Sequence, residues 1–231
     1  MTNQLTPRPK QVVLLSGGMD STALLALAYS RGDVLGALSV NYGQRHVKEL
    51  DAARAIADHY GVPHLVLDMT SWGSLLSGSA LTDPEVEVPE GHYAAPNMAI
   101  TVVPNRNATM LMAAAGVAES LGAEVVLTAV HAGDHAVYPD CRPEFIAAAS
   151  LAARLGTGGK VSIDAPFVGI SKTDIANVGA TLRAPFELTW SCYKGGENHC
   201  GACGTCVERR EAFTDSGVTD PTIYDTPKDA A

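Results

Sequence analysis

Residues 11–22 read QVVLLSGGMDST: a short apolar run, a pair of glycines and the polar start of a segment rich in Ala and Leu. The apolar run predicts a buried strand over 11–15, and residues 19–30 predict a helix that ends at Gly32. A tight turn between a strand and a helix N-terminus presents free backbone N–H groups, and the helix dipole there favours an anion. The segment therefore predicts a phosphate-binding loop at the carboxyl end of a strand, where open α/β sheets bind ligands.

The loop over residues 16–22 is not a Walker-type loop, because no lysine precedes Ser21 or Thr22, and it lacks the GxGxxG spacing. Its order, Ser-Gly-Gly-x-Asp-Ser, resembles the pyrophosphate loop (PP-loop) of ATP pyrophosphatases, which hold the β- and γ-phosphates of ATP as a leaving pyrophosphate. The alternative is a simple turn in which Asp20 only caps the helix. We expect ATP to contact the loop and the start of its helix: Leu15, Ser16, Gly17, Gly18, Met19, Asp20, Ser21, Thr22, Ala23, Leu24 and Leu25.

The rest of the chain alternates between strand and helix patterns. Residues 68–104 show little periodicity and predict an irregular excursion from the sheet. The alternation itself predicts an α/β fold with a doubly wound parallel sheet. The predicted strands cover residues 34–41, 64–67, 124–130 and 161–165, and the predicted helices cover 47–60, 107–121, 143–155 and 173–178.

Length and composition fit one α/β domain with a small appendage: the chain has 231 residues, 46% hydrophobic and 18% charged. We place an ATP-binding domain at 1–185 and a cysteine-rich zinc-binding subdomain at 186–231. No apolar run approaches the roughly 18 residues that span a bilayer. The polar start predicts no signal peptide, so we expect a soluble, cytoplasmic protein. The net charge of −9 favours small-molecule substrates over nucleic acid, which binds through basic side chains.

Four of the five cysteines lie close together, with the spacing C-x7-C-x2-C-x2-C. Thiolates at this spacing can surround one tetrahedral ion, and four sulfur ligands leave no open position, so we expect one structural zinc. The alternative is an iron–sulfur cluster, because C-x2-C-x2-C also occurs in ferredoxins; the wide first gap and the missing Cys-Pro favour zinc. A helix is predicted over 207–213. The expected ligands are Cys192, Cys200, Cys203 and Cys206.

A polar loop, NYGQRH, follows the second strand at the same sheet edge as the phosphate loop. Tyr42 and Gln44 are placed to contact the nucleotide, and Arg45 or His46 to contact a phosphate or carboxylate. The alternative is a solvated loop that starts a helix.

The tetrapeptide PNRN at 104–107 precedes a predicted helix. The guanidinium of Arg106 can make a forked contact with a carboxylate. The alternative is that the side chain of Asn105 or Asn107 caps the helix.

Residues 131–142 (HAGDHAVYPDCR) follow a strand and concentrate polar and titratable groups, which predicts a substrate pocket. Cys141 within it is either a nucleophile or, as lone cysteines more often are, a buried small side chain. Lys172 precedes a short helix and can neutralise charge on the α-phosphate of ATP; the alternative is an exposed surface lysine.

Taken together, these segments resemble the 7-cyano-7-deazaguanine synthase family. The match runs in family order over nearly the whole chain, and Asn105 stands where that family is expected to have glycine. The matching segments are 15–25 (LSGGMDSTALL), 42–46 (YGQRH), 103–107 (VPNRN), 138–142 (YPDCR) with 144–145 (EF), and the cysteine segment 192–206.

The resemblance implies a carbon–nitrogen ligase that uses ATP with Mg²⁺ and makes a nitrile from 7-carboxy-7-deazaguanine and ammonia. It also implies one structural zinc per chain and a homodimer. Rival functions are a tRNA-thiolating PP-loop enzyme, a homologue that acts on another heterocyclic acid, and a non-catalytic zinc-ribbon interaction module. The residues implied to act in catalysis are Asp20, Ser21, Arg106 and Lys172, and those implied to bind the substrate are Arg45, His46, Asn107, Tyr138, Asp140 and Arg142.

Overall fold

A five-stranded parallel sheet forms the centre of the molecule. The computed structural model describes residues 8–44, 48–83, 85–92 and 96–225. The strand order is β3-β2-β1-β4-β5, so the chain builds outward from β1 to one edge and then crosses to build the other. This order confirms the predicted doubly wound sheet. The strands are β1 (Lys10–Leu14), β2 (Asp33–Asn41), β3 (His64–Asp68), β4 (Val125–Leu127) and β5 (Ser162–Asp164).

Helices cover both faces of this sheet. Among its described residues, the irregular stretch predicted over 68–104 contains two short helical elements, α3 (Thr70–Gly73) and a 3-10 turn, Pro96–Thr101. None of the helices in the described ranges is long and apolar enough to cross a bilayer. The helices are α1 (Met19–Arg31), α2 (Lys48–Tyr60), α3 (Thr70–Gly73), α4 (Arg106–Leu121), α5 (Pro143–Gly156), α6 (Lys172–Thr181) and α7 (Gly204–Ser216).

The central strand β1 is buried on both faces after Lys10, which explains the apolar run over residues 12–14. Val12 and Leu14 pack in one apolar layer with residues of α4 and α5. Val13 packs in the other layer with residues of α1, α2, α6 and α7. Because Phe213 of α7 lies in that second layer, the C-terminal segment shares the core of the sheet domain. The boundary at 185/186 stays a prediction.

The largest error among the predicted strands concerns β4. A strand was expected over 124–130, but only Val125–Leu127 pairs in the sheet. Residues 128–130 leave the sheet and line the cavity described below. Residues 128–130 are apolar or β-branched, so their sequence resembles that of a strand. In the structure they pack beside the cavity and not beside another strand.

Candidate active site and cysteine knuckle

The phosphate loop depends on a glycine at position 17 for two reasons. Gly17 has φ +84°, in the left-handed region, and a Cβ there would lie 2.3 Å from the carbonyl oxygen of Glu49 in α2. The Gly17 carbonyl also accepts a hydrogen bond from the Trp190 backbone N–H at 2.9 Å. The loop is therefore held between the start of α2 and the C-terminal segment.

The hydroxyls of Ser21 and Thr22 form hydrogen bonds with the backbone of the loop itself. Ser21 Oγ and Thr22 Oγ1 both donate to the Gly18 carbonyl, at 3.1 and 2.8 Å. Ser21 Oγ also accepts from the Ser16 backbone N–H at 3.2 Å. Thr22 is fully buried, so its hydroxyl shapes the turn and is not presented to a phosphate. The exposed Ser16 and the first-turn N–H groups of α1 remain as donors for an anion.

A cavity of about 260 Å³ opens beside this loop at the carboxyl ends of the strands. Ala23, Leu24 and Leu25 are fully buried in the core below the loop. With Gly17 and Thr22, they support the loop and are not among the cavity-lining residues. Arg45 and His46 lie outside the described residues. The predicted site residues that line the cavity are Leu15, Ser16, Gly18, Met19, Asp20, Ser21, Tyr42, Gln44, Arg106, Asn107, Tyr138 and Lys172.

At the phosphate end of the cavity, Lys172 lies between two carboxylates. Its Nζ is 3.1 Å from Asp20 Oδ2 and 2.6 Å from Glu208 Oε2, and its side chain is only 13% exposed. Burial by itself lowers the pKa of Lys172, but the charges of Asp20 and Glu208 outweigh burial and raise it above its ordinary value. The alternative of an exposed surface lysine is therefore wrong.

Among the described residues, only one oxygen of the Asp20 carboxylate has a partner. Oδ2 faces Lys172, whereas Oδ1 is buried and has no hydrogen-bond partner among the described residues. The helix α1 begins after Gly18, and no side chain caps it. The alternative that Asp20 serves only as a helix cap is therefore wrong.

The opposite end of the cavity combines an arginine with tyrosines. Arg106 Nη1 donates to Tyr42 Oη at 3.2 Å, and its guanidinium carbon is 5.6 Å from the Tyr42 ring centroid. Tyr138 Oη shares a hydrogen bond with Thr101 Oγ1 at 2.6 Å. Burial raises the pKa of both Tyr42 and Tyr193, so these phenols stay protonated. This end offers a fixed cation and neutral hydroxyls.

The side chain of Gln44 lines the cavity but is used by its own turn. Its Oε1 accepts from the Tyr42 backbone N–H at 2.9 Å, and its Nε2 donates to the Val40 carbonyl at 3.2 Å. Gln44 therefore fixes the turn that presents Tyr42 to the cavity.

The asparagine at position 105 is explained by its backbone. Asn105 has φ 53° and ψ 27°, a left-handed conformation that glycine adopts freely and asparagine tolerates better than most residues. Its side chain makes no capping hydrogen bond. Instead, Asp140 Oδ2 accepts from the backbone N–H of Asn107 at 2.9 Å.

Asp140 and Arg142 were predicted to bind substrate, and neither is among the residues that line the cavity. Asp140 caps the N-terminus of α4, where free N–H groups attract a carboxylate. Arg142 is exposed, and its Nε donates to the His135 carbonyl at 3.1 Å. In this structure both residues brace the pocket segment from outside.

Cys141 is a packed thiol. It is 3% exposed, and its Sγ accepts from Asn107 Nδ2 at 3.1 Å. Burial and the charges of Asp134 and Asp140 raise its pKa above the ordinary value. Because a thiol must ionise to act as a nucleophile, the buried-side-chain alternative is confirmed.

Several cavity residues were not predicted. Glu49 lies on the same face of α2 as the buried Ala53, Ile56 and Ala57. Outside the cavity lining, Glu208 and the fully buried Arg209 likewise lie beside the buried residues of α7. A charged side chain on an apolar helix stripe was the signal that could have identified them. The other cavity residues not predicted individually include Ser39, His131, Asp134, Trp190, Ser191, Tyr193 and Thr205.

The four clustered cysteines fit a zinc site. Their sulfur atoms all lie within 4.8 Å of one another, and tetrahedral Zn–S bonds of about 2.3 Å place ligands about 3.8 Å apart. Sulfurs this close suit one ion better than a multi-iron cluster. Hereafter we call residues 192–206 the knuckle.

Trp190 connects the knuckle to the cavity. Its ring lines the cavity, and its Nε1 donates to the Cys192 carbonyl at 3.0 Å. The ring lies 4.3 Å from that of His199, centroid to centroid, and Lys48 Nζ lies 4.6 Å from its centroid. Through the Gly17 contact, the same residue reaches the phosphate loop.

Comparisons with known proteins identify a family. The profile of a family described as "Queuosine biosynthesis protein QueC" matches residues 10–217. The 7-cyano-7-deazaguanine synthase of Chelativorans sp. (strain BNC1) is 55% identical over 218 residues, which cover 94% of each chain. That of Rhizobium meliloti (strain 1021) is 55% identical over 220 residues, covering 94% of this chain and 93% of the relative.

Among solved structures, the NMN synthetase of Francisella tularensis superposes with a TM-score of 0.51 at 15% identity. The match covers 96% of this chain and 90% of the synthetase. At this identity the likeness extends to the fold alone.

Proposed function

The chain belongs to the QueC family of queuosine biosynthesis proteins, and from that membership we propose how its cavity performs the family reaction. The enzyme is an ATP-dependent carbon–nitrogen ligase. It converts 7-carboxy-7-deazaguanine and ammonia to 7-cyano-7-deazaguanine and splits ATP into AMP and pyrophosphate.

The chemistry requires two adenylations. A carboxylate oxygen attacks the α-phosphorus of ATP, and pyrophosphate leaves from an acyl-adenylate. Ammonia then displaces AMP to give the amide. The amide oxygen attacks a second ATP, and loss of AMP leaves the nitrile. Carboxylate and amide oxygens are poor leaving groups by themselves. Each adenylation therefore converts such an oxygen into a good leaving group, which departs with AMP.

The phosphate end of the cavity is suited to ATP. We assign the β- and γ-phosphates to Ser16 and the N–H groups at the start of α1. The Mg²⁺ that accompanies ATP neutralises phosphate charge, and the unpartnered Oδ1 of Asp20 is the atom suited to hold it. Lys172 Nζ is assigned to the α-phosphate, where it stabilises the charge that develops during attack. Ser21 supports this arrangement by shaping the turn.

The opposite end is suited to the deazaguanine acid. We assign the substrate carboxylate to the guanidinium of Arg106, which Tyr42 orients. Asn107 and Tyr138 line the space beside it and can contact the heterocycle. Arg45 and His46 remain proposed substrate contacts. The zinc of the knuckle holds the wall that carries Trp190 and takes no chemical part, because its four ligands leave no open position.

One observation carries these assignments: the buried Lys172 and the Arg106–Tyr42 pair face a single cavity beside the phosphate loop. The test supplies ATP, Mg²⁺, ammonium and 7-carboxy-7-deazaguanine and follows the products by mass spectrometry. We expect the nitrile with two AMP for each product. Absence of both AMP and nitrile would sink the proposal, and AMP released only with a tRNA would favour the thiolating alternative.

Three finer expectations are also proposed. The acidic net charge of −9 favours action on small molecules without a nucleic-acid partner. A homodimer is proposed from the family resemblance, and the cytoplasmic location expected from the sequence is likewise a proposal. A gel shift with tRNA, light scattering and cell fractionation test them in turn.

A further inference from the structure

Glu49 is a carboxylate on the cavity wall that the assignments above leave unused. It lies in the first turn of α2, the helix whose backbone packs against Gly17 of the phosphate loop. Its side chain lines the cavity together with Arg106, Tyr42 and Tyr193. The charge of Arg106 acts on the Glu49 carboxylate, so Glu49 lies at the end of the cavity to which the substrate carboxylate is assigned.

Among the described residues, Glu49 differs from the carboxylates around Lys172 because it has no hydrogen-bond or ion-pair partner. Asp20 and Glu208 are both paired with Lys172. Among the residues that the structure describes, no hydrogen bond or ion pair within 4.0 Å ends on the carboxylate of Glu49. Its side chain is therefore available to a ligand.

The electrostatic surroundings of Glu49 suit proton transfer near neutral pH. Within the described ranges, the titratable groups that face it are Arg106 of α4, Tyr42 after β2 and Tyr193 of the knuckle. Burial raises the pKa of Glu49 to about 7, although the charge of Arg106 acts in the opposite direction. A carboxylate that titrates there can accept a proton in one step and release it to solvent in the next.

We propose that Glu49 binds the ammonium ion that supplies the nitrogen and takes up one of its protons, delivering ammonia to the acyl-adenylate. This inference rests on the proposed function. At neutral pH the nitrogen donor is a cation with no lone pair for attack, so one group must bind it and remove a proton. A carboxylate beside neutral tyrosines is matched to a small cation.

The protons balance in the first half-reaction. The nitrogen lone pair of ammonia forms the new C–N bond, and the C–O bond to AMP breaks with its electron pair going to the AMP oxygen. Of the four ammonium hydrogens, two stay in the amide, one is on Glu49 and one leaves on the AMP phosphate. Glu49 then loses its proton to water at the cavity mouth.

The second half-reaction uses the same carboxylate. The adenylated amide carries two hydrogens on its nitrogen. As the C–O bond to AMP breaks, the nitrogen gives one hydrogen to Glu49 and one to the departing AMP phosphate, and the C–N triple bond forms. Glu49 therefore acts on the nitrogen in both halves, and only the first half requires ammonium.

The test variant is Glu49→Gln, which keeps the shape of the side chain but cannot accept a proton. We expect the first adenylation to survive: pyrophosphate release, with hydroxylamine added to trap the acyl-adenylate as hydroxamate, stays within about threefold of wild type. Formation of amide from ammonium, and of nitrile from supplied amide, should each fall by about 10²-fold or more. Glu49→Asp, which keeps the carboxylate, should fall between the two.

A matched control and a pH profile separate proton transfer from a structural role. Asp51→Asn removes an exposed carboxylate from the same turn of α2 and should leave every rate unchanged. For wild type, the rate of the amide-to-nitrile step should rise with pH through the pKa of about 7. Glu49→Gln should lose this dependence.

The outcomes separate this inference from the proposed function. Nitrile formation by Glu49→Gln within threefold of wild type would overturn the role of Glu49. So would an equal loss of hydroxamate and nitrile, which would place Glu49 in adenylation. If Glu49→Gln does not fold, Glu49→Asp with an unaltered pH profile and rate would also overturn it. If wild type yields neither hydroxamate nor nitrile, the proposed function itself fails.

Discussion

The cavity has two walls that are built by different forces. The sheet wall comes from the strand ends and from α1, α2 and α4, and it rests on fully buried side chains such as Val13 and Leu24. The C-terminal wall, residues 189–209, contributes Trp190, Ser191, Tyr193 and Thr205 to the cavity. Before α7 it contains no regular strand or helix among the described residues. Burial of the apolar core fixes the sheet wall, whereas the C-terminal wall depends on polar and metal contacts.

A single buried arginine holds much of the C-terminal wall. Arg209 is 0% exposed and pairs with Asp220 at 3.1 Å. It also donates to Thr189 Oγ1 at 2.7 Å and to Ser191 Oγ at 3.2 Å, on either side of Trp190. Because a buried charge is tolerated only when it is fully paired, this network fixes one arrangement of the wall.

The largest effect is expected from removal of the metal ligand Cys203, which should disrupt the C-terminal wall and leave the sheet wall intact. Cys203→Ser should lose zinc, and since metal binding supplies folding free energy, the knuckle should lose its fixed structure. Near-ultraviolet circular dichroism from Trp190 should collapse while the far-ultraviolet signal of the sheet persists. Nitrile formation should fall by about 10²-fold or more, the size of effect that misplacing a reacting group produces.

Cys141→Ser is the matched control, because it changes a buried thiol outside the knuckle. It should keep its zinc, measured by inductively coupled plasma mass spectrometry. A Cys203→Ser protein with full metal content, or one in which both dichroism signals vanish together, would contradict the idea of two separable walls.

The next largest effect is expected from the arginine network. Arg209→Leu leaves Asp220 without its cation and should destabilise the protein by about 3–5 kcal/mol, as breaking a buried ion pair does. Urea unfolding measures the change. Arg54→Leu, which removes an exposed arginine 3.7 Å from Asp51, should cost less than about 1 kcal/mol. Similar losses from both substitutions would mean that the C-terminal wall does not depend on Arg209.

Lys172 connects the two walls, and its removal should affect rate more than structure. It pairs with Asp20 of the sheet wall and with Glu208 of α7. Lys172→Met should lower the rate of the first adenylation by about 10²–10³-fold, the effect of removing one group that stabilises transition-state charge. Pyrophosphate release in single turnover measures it.

Lys160→Met supplies the comparison for Lys172, because Lys160 makes an exposed ion pair with Glu119 at 2.8 Å. Its adenylation rate should match wild type. An unchanged adenylation rate in Lys172→Met would remove this lysine from the phosphate end of the cavity.

The same contrast explains what the sequence could predict. The sheet wall was readable because burial leaves a pattern: the apolar run of β1, the glycine turn and the helix over 47–60 all appear as predicted, the last as α2. The cysteine spacing was readable because thiolate ligands have fixed geometry.

What the sequence could not predict depends on contacts between distant segments. Asp140 was expected at the substrate, but only the folded chain brings it to the N-terminus of α4, 33 positions earlier. Glu208 meets Lys172 across 36 positions. Neither spacing carries a local signal, because each pair forms only when two elements pack. In the sequence, a polar residue near a strand end looks the same whether it contacts the substrate or supports the pocket from outside.

The smallest expected effect concerns the free energy of unfolding, which the ionised carboxylate of Glu49 on the sheet wall should lower. The pKa of Glu49 is raised to about 7 in the folded protein, so the fold favours the protonated form. The stability from this preference is fully present below the unfolded-state pKa of about 4.3 and is lost as pH rises through 7. Glu49→Gln cannot ionise. It should therefore match wild type at pH 4 and exceed it by about 1 kcal/mol at pH 8, a modest gain because solvent in the cavity screens the charge. Urea unfolding across this range measures the difference, with Asp51→Asn as the control that should show no growth with pH. A difference that is constant with pH would mean that the fold does not disfavour the Glu49 charge.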